Sequence, residues 1–118
     1  MSRTRADAEQ RGRRAETLAA WYLRLKGWRI VARRVKTPRG EIDLVARRGR
    51  TLAFVEVKWR GGAAQLDHAI DSHRLRRVAA AAEAIAPRYV REGDDQRIDV
   101  VLLAPGHFPR HIVNAWMP

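Results

Sequence analysis

Residues 40–59 read GEIDLVARRGRTLAFVEVKW, two short apolar runs from Glu41 to Arg47 and from Thr51 to Trp59 with Arg48-Gly49-Arg50 between them. Two such runs around a glycine-bearing break are the pattern of a β-hairpin. A two-residue loop of Gly49-Arg50 suits a type II′ turn with glycine first, and it pairs residues whose numbers sum to 99. A four-residue loop keeps that register, whereas a three-residue loop would slip it by one and set Asp43 opposite a valine. In the first register Asp43 faces Glu56 and Glu41 faces Lys58. Ile42, Leu44 and Ala46 fall on one side with Ala53, Val55 and Val57, and Val45, Leu52 and Phe54 fall on the other. Strands apolar on both faces belong to a central sheet covered by helices on each side.

The flanking sequence supplies those helices. Ala15, Leu18, Ala19, Tyr22 and Leu25 recur at helical spacing up to Gly27, a helix stop, and Trp28 to Val35 reads as a strand. Asp71 or Ser72 can cap a second helix carrying Leu75, Val78, Ala79, Ala82 and Ile85 and ending near Pro87. Ile98 to Leu103 and Arg110 to Trp116 close the chain as strands, with loops at residues 37–40, 61–62, 92–95 and 105–106. The expected fold is α/β, a mixed β-sheet flanked by helices in the order α-β-β-β-α-β-β. The 118 residues make one domain, 1–118, whose residues 1–10 form a basic arm open to disorder.

Cysteine is absent, which excludes disulfides, thiolate metal sites and cysteine nucleophiles. The longest apolar run, Ala79 to Ala86, is broken by Glu83 and far too short for a bilayer, and the N-terminus lacks a secretory stretch, so a cytoplasmic location is expected. The formal charge is +11, and of 24 cations only Lys26, Lys36 and Lys58 are lysine. Arginine's planar fork suits phosphate, so the expected partner is nucleic acid and not a membrane.

Asp43 and Glu56 directly opposite one another repel unless something positive sits between them. Glu56 and Lys58, two apart on a strand, share a face and bring an ammonium beside the pair. Two carboxylates with open water positions suit Mg²⁺, and a neighbouring lysine can orient water or stabilise charge on a phosphate oxygen. A solvated ion pair of Lys58 with Glu56 and Glu41 would account for the same residues without chemistry.

Gly12, Ala15-Glu16, Tyr22-Leu23, Gly27, Gly40 to Ala46, Phe54 to Lys58 with Arg60, Arg97 to Val101 and Ile112 to Trp116 together resemble the YraN family of bacterial proteins. That resemblance implies a restriction-endonuclease-like fold of the kind seen in Holliday-junction resolvases. It also implies that Asp43, Glu56 and Lys58 match the PD-(D/E)xK catalytic signature and that Glu16 matches its additional helix-borne acid. Asp43, Glu56 and Glu16 are then the metal ligands, with Mg²⁺ or Mn²⁺ as cofactor. Glu16 lies about 100° around its helix from Ala15, so it can lean over the sheet. Two departures stand out: Ile42 replaces the proline of the signature, and His73-Arg74 stand where a lysine is expected.

Arg60, Arg74, Arg76 and Arg77 are candidate phosphate contacts, with a solvated helix face as the alternative. His68, His73, His107 and His111 lack zinc spacing and read as loop or surface residues. Trp21 and Trp28 read as core or core edge, Trp59 as covered by a helix, and Asp99 as structural beside Arg97. The expected function is a Mg²⁺-dependent endonuclease acting on DNA more than RNA, at branched structures and as a homodimer. The alternative is a catalytically silent nucleic-acid-binding or recruitment protein on the same scaffold.

Overall fold

The hairpin register is the one that Gly49 suggests. A computed structural model describes the backbone of residues 5–60 and 72–116 and the side chains of 12–60 and 73–116. Strand β2 (Gly40–Arg48) pairs antiparallel with β3 (Thr51–Trp59) as Leu44 with Val55, Val45 with Phe54 and Arg48 with Thr51. Gly49 has φ +61 and Arg50 does not share the left-handed conformation, as a type II′ turn requires. Gly49→Ala is therefore expected to lower stability by about 1 kcal/mol, measured by urea unfolding.

Around the hairpin, β1 (Arg29–Thr37) runs antiparallel to β2, β4 (Asp95–Leu103) runs parallel to β3, and β5 (Arg110–Ile112) runs antiparallel to β4. The five-stranded mixed sheet has the order β1-β2-β3-β4-β5. Helix α1 (Arg5–Leu25) covers one face over Leu44, Ala46, Ala53, Val55, Val101 and Leu103. Helix α2 (Ser72–Tyr89) covers the other over Val45, Leu52, Phe54, Val100 and Leu102. The α/β architecture and the order of elements are those expected from the sequence.

Helix α1 begins at Arg5, with residues 1–4 outside the described residues, and three details differ from the expected fold. Its buried stripe is Ala15, Ala19, Ala20 and Leu23, while Leu18, Trp21 (58% exposed) and Leu25 (84% exposed) face solvent, contrary to the expectation for all three. The alanines carry little side-chain bulk to hold the helix off the sheet, and apolar residues at both outer and inner positions hid which stripe turns inward. Ile42 joins the α2 side while Leu44 joins the α1 side, although residues two apart on a regular strand share a face. Opposite that break, Arg34 of β1 has φ +52, a left-handed conformation that disfavours an L-residue with a side chain. Finally, β5 ends at Ile112 because Asn114 turns left-handed (φ +53) and donates its N–H to Asp99 at 2.9 Å. The expected loop at 61–62, His68 and the expected cap Asp71 lie outside the described residues.

Candidate active site

Strands β2 and β3 part company at the end of the hairpin away from the turn. Their paired ladder reaches Leu44 and Val55, and beyond it the Val57 N–H donates to Asp43 Oδ2 at 2.8 Å. The Asp43 side chain thus occupies the place where the β2 backbone would continue the ladder. The break at Ile42 and the left-handed Arg34 lie at this same spot, so the irregular backbone is concentrated where acids gather.

Glu16 arrives from α1. On a helix of 3.6 residues per turn it lies about 100° from Ala15, inside the arc spanned by Ala15, Ala19, Leu23 and Ala20. It is therefore held against the sheet, 5% exposed, within the apolar face. One carboxylate oxygen from each of Glu16, Glu41 and Asp43 lies within 4.8 Å of the others. Glu41 is the acid that the sequence reading placed elsewhere, opposite Lys58. It stands two residues before Asp43, across the break in β2, where regular alternation would have left it opposite Lys58.

Glu56 and Lys58 share a face as expected, with Lys58 Nζ 3.1 Å from Glu56 Oε1. Arg74 of α2 donates through Nε to the same oxygen at 2.7 Å, so a basic group does serve at the start of α2 where a lysine was expected. Glu56 therefore sits beside the three-acid group, tied to two cations, and outside that close cluster. A cavity of roughly 370 Å³ joins Glu56 to two of the three acids, Glu41 and Asp43, and is lined also by Arg39, Gly40, Arg74, Arg77 and Val78. Arg60 lies close enough to Lys58 to act on its charge. Arg76 is exposed and does not line the cavity.

The acids are crowded and short of positive charge. Burial, followed by repulsion from Glu56, pushes the Asp43 carboxyl up to about 7, against the lowering effect of the Val57 N–H. Burial likewise raises Glu16, with Arg34 opposing and Glu41 adding to the rise. Glu16 Oε1 is buried without a hydrogen bond, its nearest cation being Arg34 Nε at a long 3.4 Å. Burial lowers the Lys58 ammonium, against the raising effect of Glu56. Hard carboxylate oxygens that repel one another, one lacking a donor, fit a divalent cation of the Mg²⁺ kind.

Residues 15–103 match the profile of the family described as "Uncharacterised protein family UPF0102". The chain belongs to that family. UPF0102 is the YraN family that the sequence resembles. A UPF0102 protein of Sphingopyxis alaskensis is 69% identical over 115 residues, covering 98% of this chain and 99% of the relative. One of Erythrobacter litoralis is 69% identical over 111 residues, covering 94% and 96%. Among solved structures, Hjc, a Holliday junction resolvase from the archaeal hyperthermophile Archaeoglobus fulgidus, aligns with a TM-score of 0.58 at 20% identity. The alignment covers 85% of this chain and 73% of Hjc. The fold of this UPF0102 member is thus restriction-endonuclease-like. Among the described residues no helix is long and apolar enough to cross a membrane.

Proposed function

We propose that this protein is a metal-dependent endonuclease that hydrolyses phosphodiester bonds of DNA, with branched DNA as its substrate class and Mg²⁺ or Mn²⁺ as its cofactor. The observation that carries the reading is the convergence of Glu16, Glu41 and Asp43 within 4.8 Å at the splayed strand ends, beside the Glu56–Lys58 pair. The resolvase-like fold supports DNA over RNA and a cytoplasmic site of action, and paired incisions would require two such sites, hence a homodimer.

Glu16, Glu41 and Asp43 would hold the cation, with Glu56 joining once Arg74 turns to substrate. When bound, the cation supplies Lewis-acid polarisation of a phosphoryl oxygen. Lys58 Nζ, held by Glu56 and lowered by burial, orients the attacking water and stabilises charge building on the phosphate. Arg39, Arg74 and Arg77 around the cavity position the phosphodiester backbone. Arg60 beside Lys58 extends that contact along the strand end.

The test is cleavage of labelled junction, flap and duplex DNA with Mg²⁺ or Mn²⁺. Lys58→Met is expected to lower the rate by about 10²–10⁴-fold, the usual contribution of a positioned proton-handling group. Equal product from wild type, Lys58→Met and Asp43→Asn would assign the cleavage to a contaminant and refute the reading. One observation favours a second reading, a catalytically silent DNA-binding module: Glu56 is already neutralised by Lys58 and Arg74. That reading predicts salt-sensitive DNA binding indifferent to divalent cations.

A further inference from the structure

Arg34 is an odd residue for the middle of a strand. It holds φ +52, and β1 loses its alternation there, so that Ala32 and Val35, three apart, both pack on the α2 side. The reward for this backbone is not a strong ion pair. Arg34 Nε lies 3.4 Å from Glu16 Oε1, which is left buried without a hydrogen bond, and 3.9 Å from Glu41 Oε1. The structural arginines of this chain behave otherwise. Arg47 grips Asp94 through two 2.8 Å bonds, and Arg97 grips Asp99 at 2.9 and 3.2 Å. Among the described residues the Arg34 side chain has no hydrogen-bond partner, and it keeps 35% of its surface in solvent.

We propose that Arg34 is a displaceable counter-ion of the acid cluster: its guanidinium holds the place of the cation, leaves when the cation enters, and then takes a phosphate of the nucleic acid. The inference rests on the nuclease reading above and adds a partner exchange to it. Arg34 and a divalent cation draw on the same two carboxylates, so they compete. An expelled guanidinium at the lip of the site carries a forked donor set that matches phosphate. Cation and DNA then bind cooperatively, because the cation frees a contact that the DNA uses.

The two halves of the exchange have opposite signs in an Arg34 variant, which makes them testable. Mn²⁺ is titrated calorimetrically, without DNA, into wild type, Arg34→Gln, Arg34→Gly and Asp43→Asn, each checked for folding by circular dichroism. DNA affinity is measured with and without Mn²⁺ by fluorescence anisotropy in a Lys58→Met background that suppresses cleavage. Arg34→Gln is expected to bind Mn²⁺ about tenfold tighter, the fold-change of two partly exposed ion pairs, and to lose the Mn²⁺-dependent gain in DNA affinity. Arg34→Gly, which accepts the left-handed backbone without strain, is expected to behave likewise, assigning the effect to the side chain. Mn²⁺ affinity unchanged or weakened in both variants, with wild type binding normally, would overturn the counter-ion role and leave the nuclease reading standing. Absence of Mn²⁺ binding in wild type and in both Arg34 variants would overturn the nuclease reading together with the exchange.

Discussion

Asp43→Asn is expected to lower DNA cleavage by about 10³-fold or more and, in the absence of divalent cations, to make the protein more stable at pH 8. The loss of cleavage follows from removing one oxygen donor of the acid cluster. The gain in stability follows from the Asp43 carboxyl being pushed up to about 7 by burial and by Glu56. A carboxyl raised above its unfolded value of 3.8 favours the fold fully at pH below about 4, and that contribution is lost as pH rises through 7. Above that point the folded chain must hold a charge that the unfolded chain holds at less cost. Asparagine keeps an acceptor for the Val57 N–H and carries no charge. The expected gain at pH 8 is on the order of 2 kcal/mol, below what the full shift implies because the carboxyl keeps some water. Urea unfolding at pH 4, 6 and 8 measures it, and the difference should vanish toward pH 4. Added Mg²⁺ should stabilise wild type at pH 8 and leave Asp43→Asn unmoved. A difference independent of pH would mean that Asp43 is not the strained acid of the cluster.

The hairpin shows how far local chemistry carries. Gly49 suggests the turn, and the turn the register that β2 and β3 adopt, while strand alternation alone puts Glu56 and Lys58 on one face. The same periodicity misled wherever the backbone departs from it. Glu41 was assigned to Lys58 on the assumption of an unbroken ladder, but β2 and β3 separate after Leu44 and Val55. Nothing in the string of residue types announces that Arg34 will turn left-handed, because arginine has no preference for that conformation. On α1, Leu18, Trp21 and Leu25 lie outside while Ala15, Ala19 and Ala20 lie inside with Leu23, and that mixture hid Trp21's exposure. Arg76 was grouped with Arg74 and Arg77 by sequence proximity, but adjacent helical positions point about 100° apart. The regular parts of the fold were therefore legible; of the acid cluster Glu16 and Asp43 were legible as candidates, while the break in β2 hid that Glu41 joins them.

Asp99→Ala is expected to be the most destabilising single change at a polar position, costing about 3–5 kcal/mol. Asp99 is fully buried on β4 on the α1 side of the sheet. It accepts from Arg97 through both oxygens, from His111 Nε2 at 2.7 Å and from the Asn114 N–H at 2.9 Å. His111 is thereby a buried member of β5, not a loop or surface residue. Lys26 Nζ lies 2.8 Å from His111 Nδ1, and an ammonium can only donate, so the neutral ring carries its proton on Nε2 toward Asp99. One carboxylate thus ties the end of α1 and the C-terminal segment to the central sheet. Burial alone would raise its pKa, but His111, Arg97 and the Asn114 N–H outweigh it and hold the carboxyl below 3.8. That contribution is present above about pH 4 and is lost as pH falls through the lowered folded value. Removing the carboxylate strands the Arg97 charge over the Trp28 ring and leaves the Asn114 N–H without its partner. Urea unfolding at pH 7 should show the loss, and hydrogen exchange should show residues 110–116 opening first. His111→Ala, which leaves the Arg97 pair intact, should cost less. A loss under about 1 kcal/mol for Asp99→Ala would mean that the C-terminal segment is held by Ile112 and Trp116 packing on the α2 cluster instead of by this carboxylate.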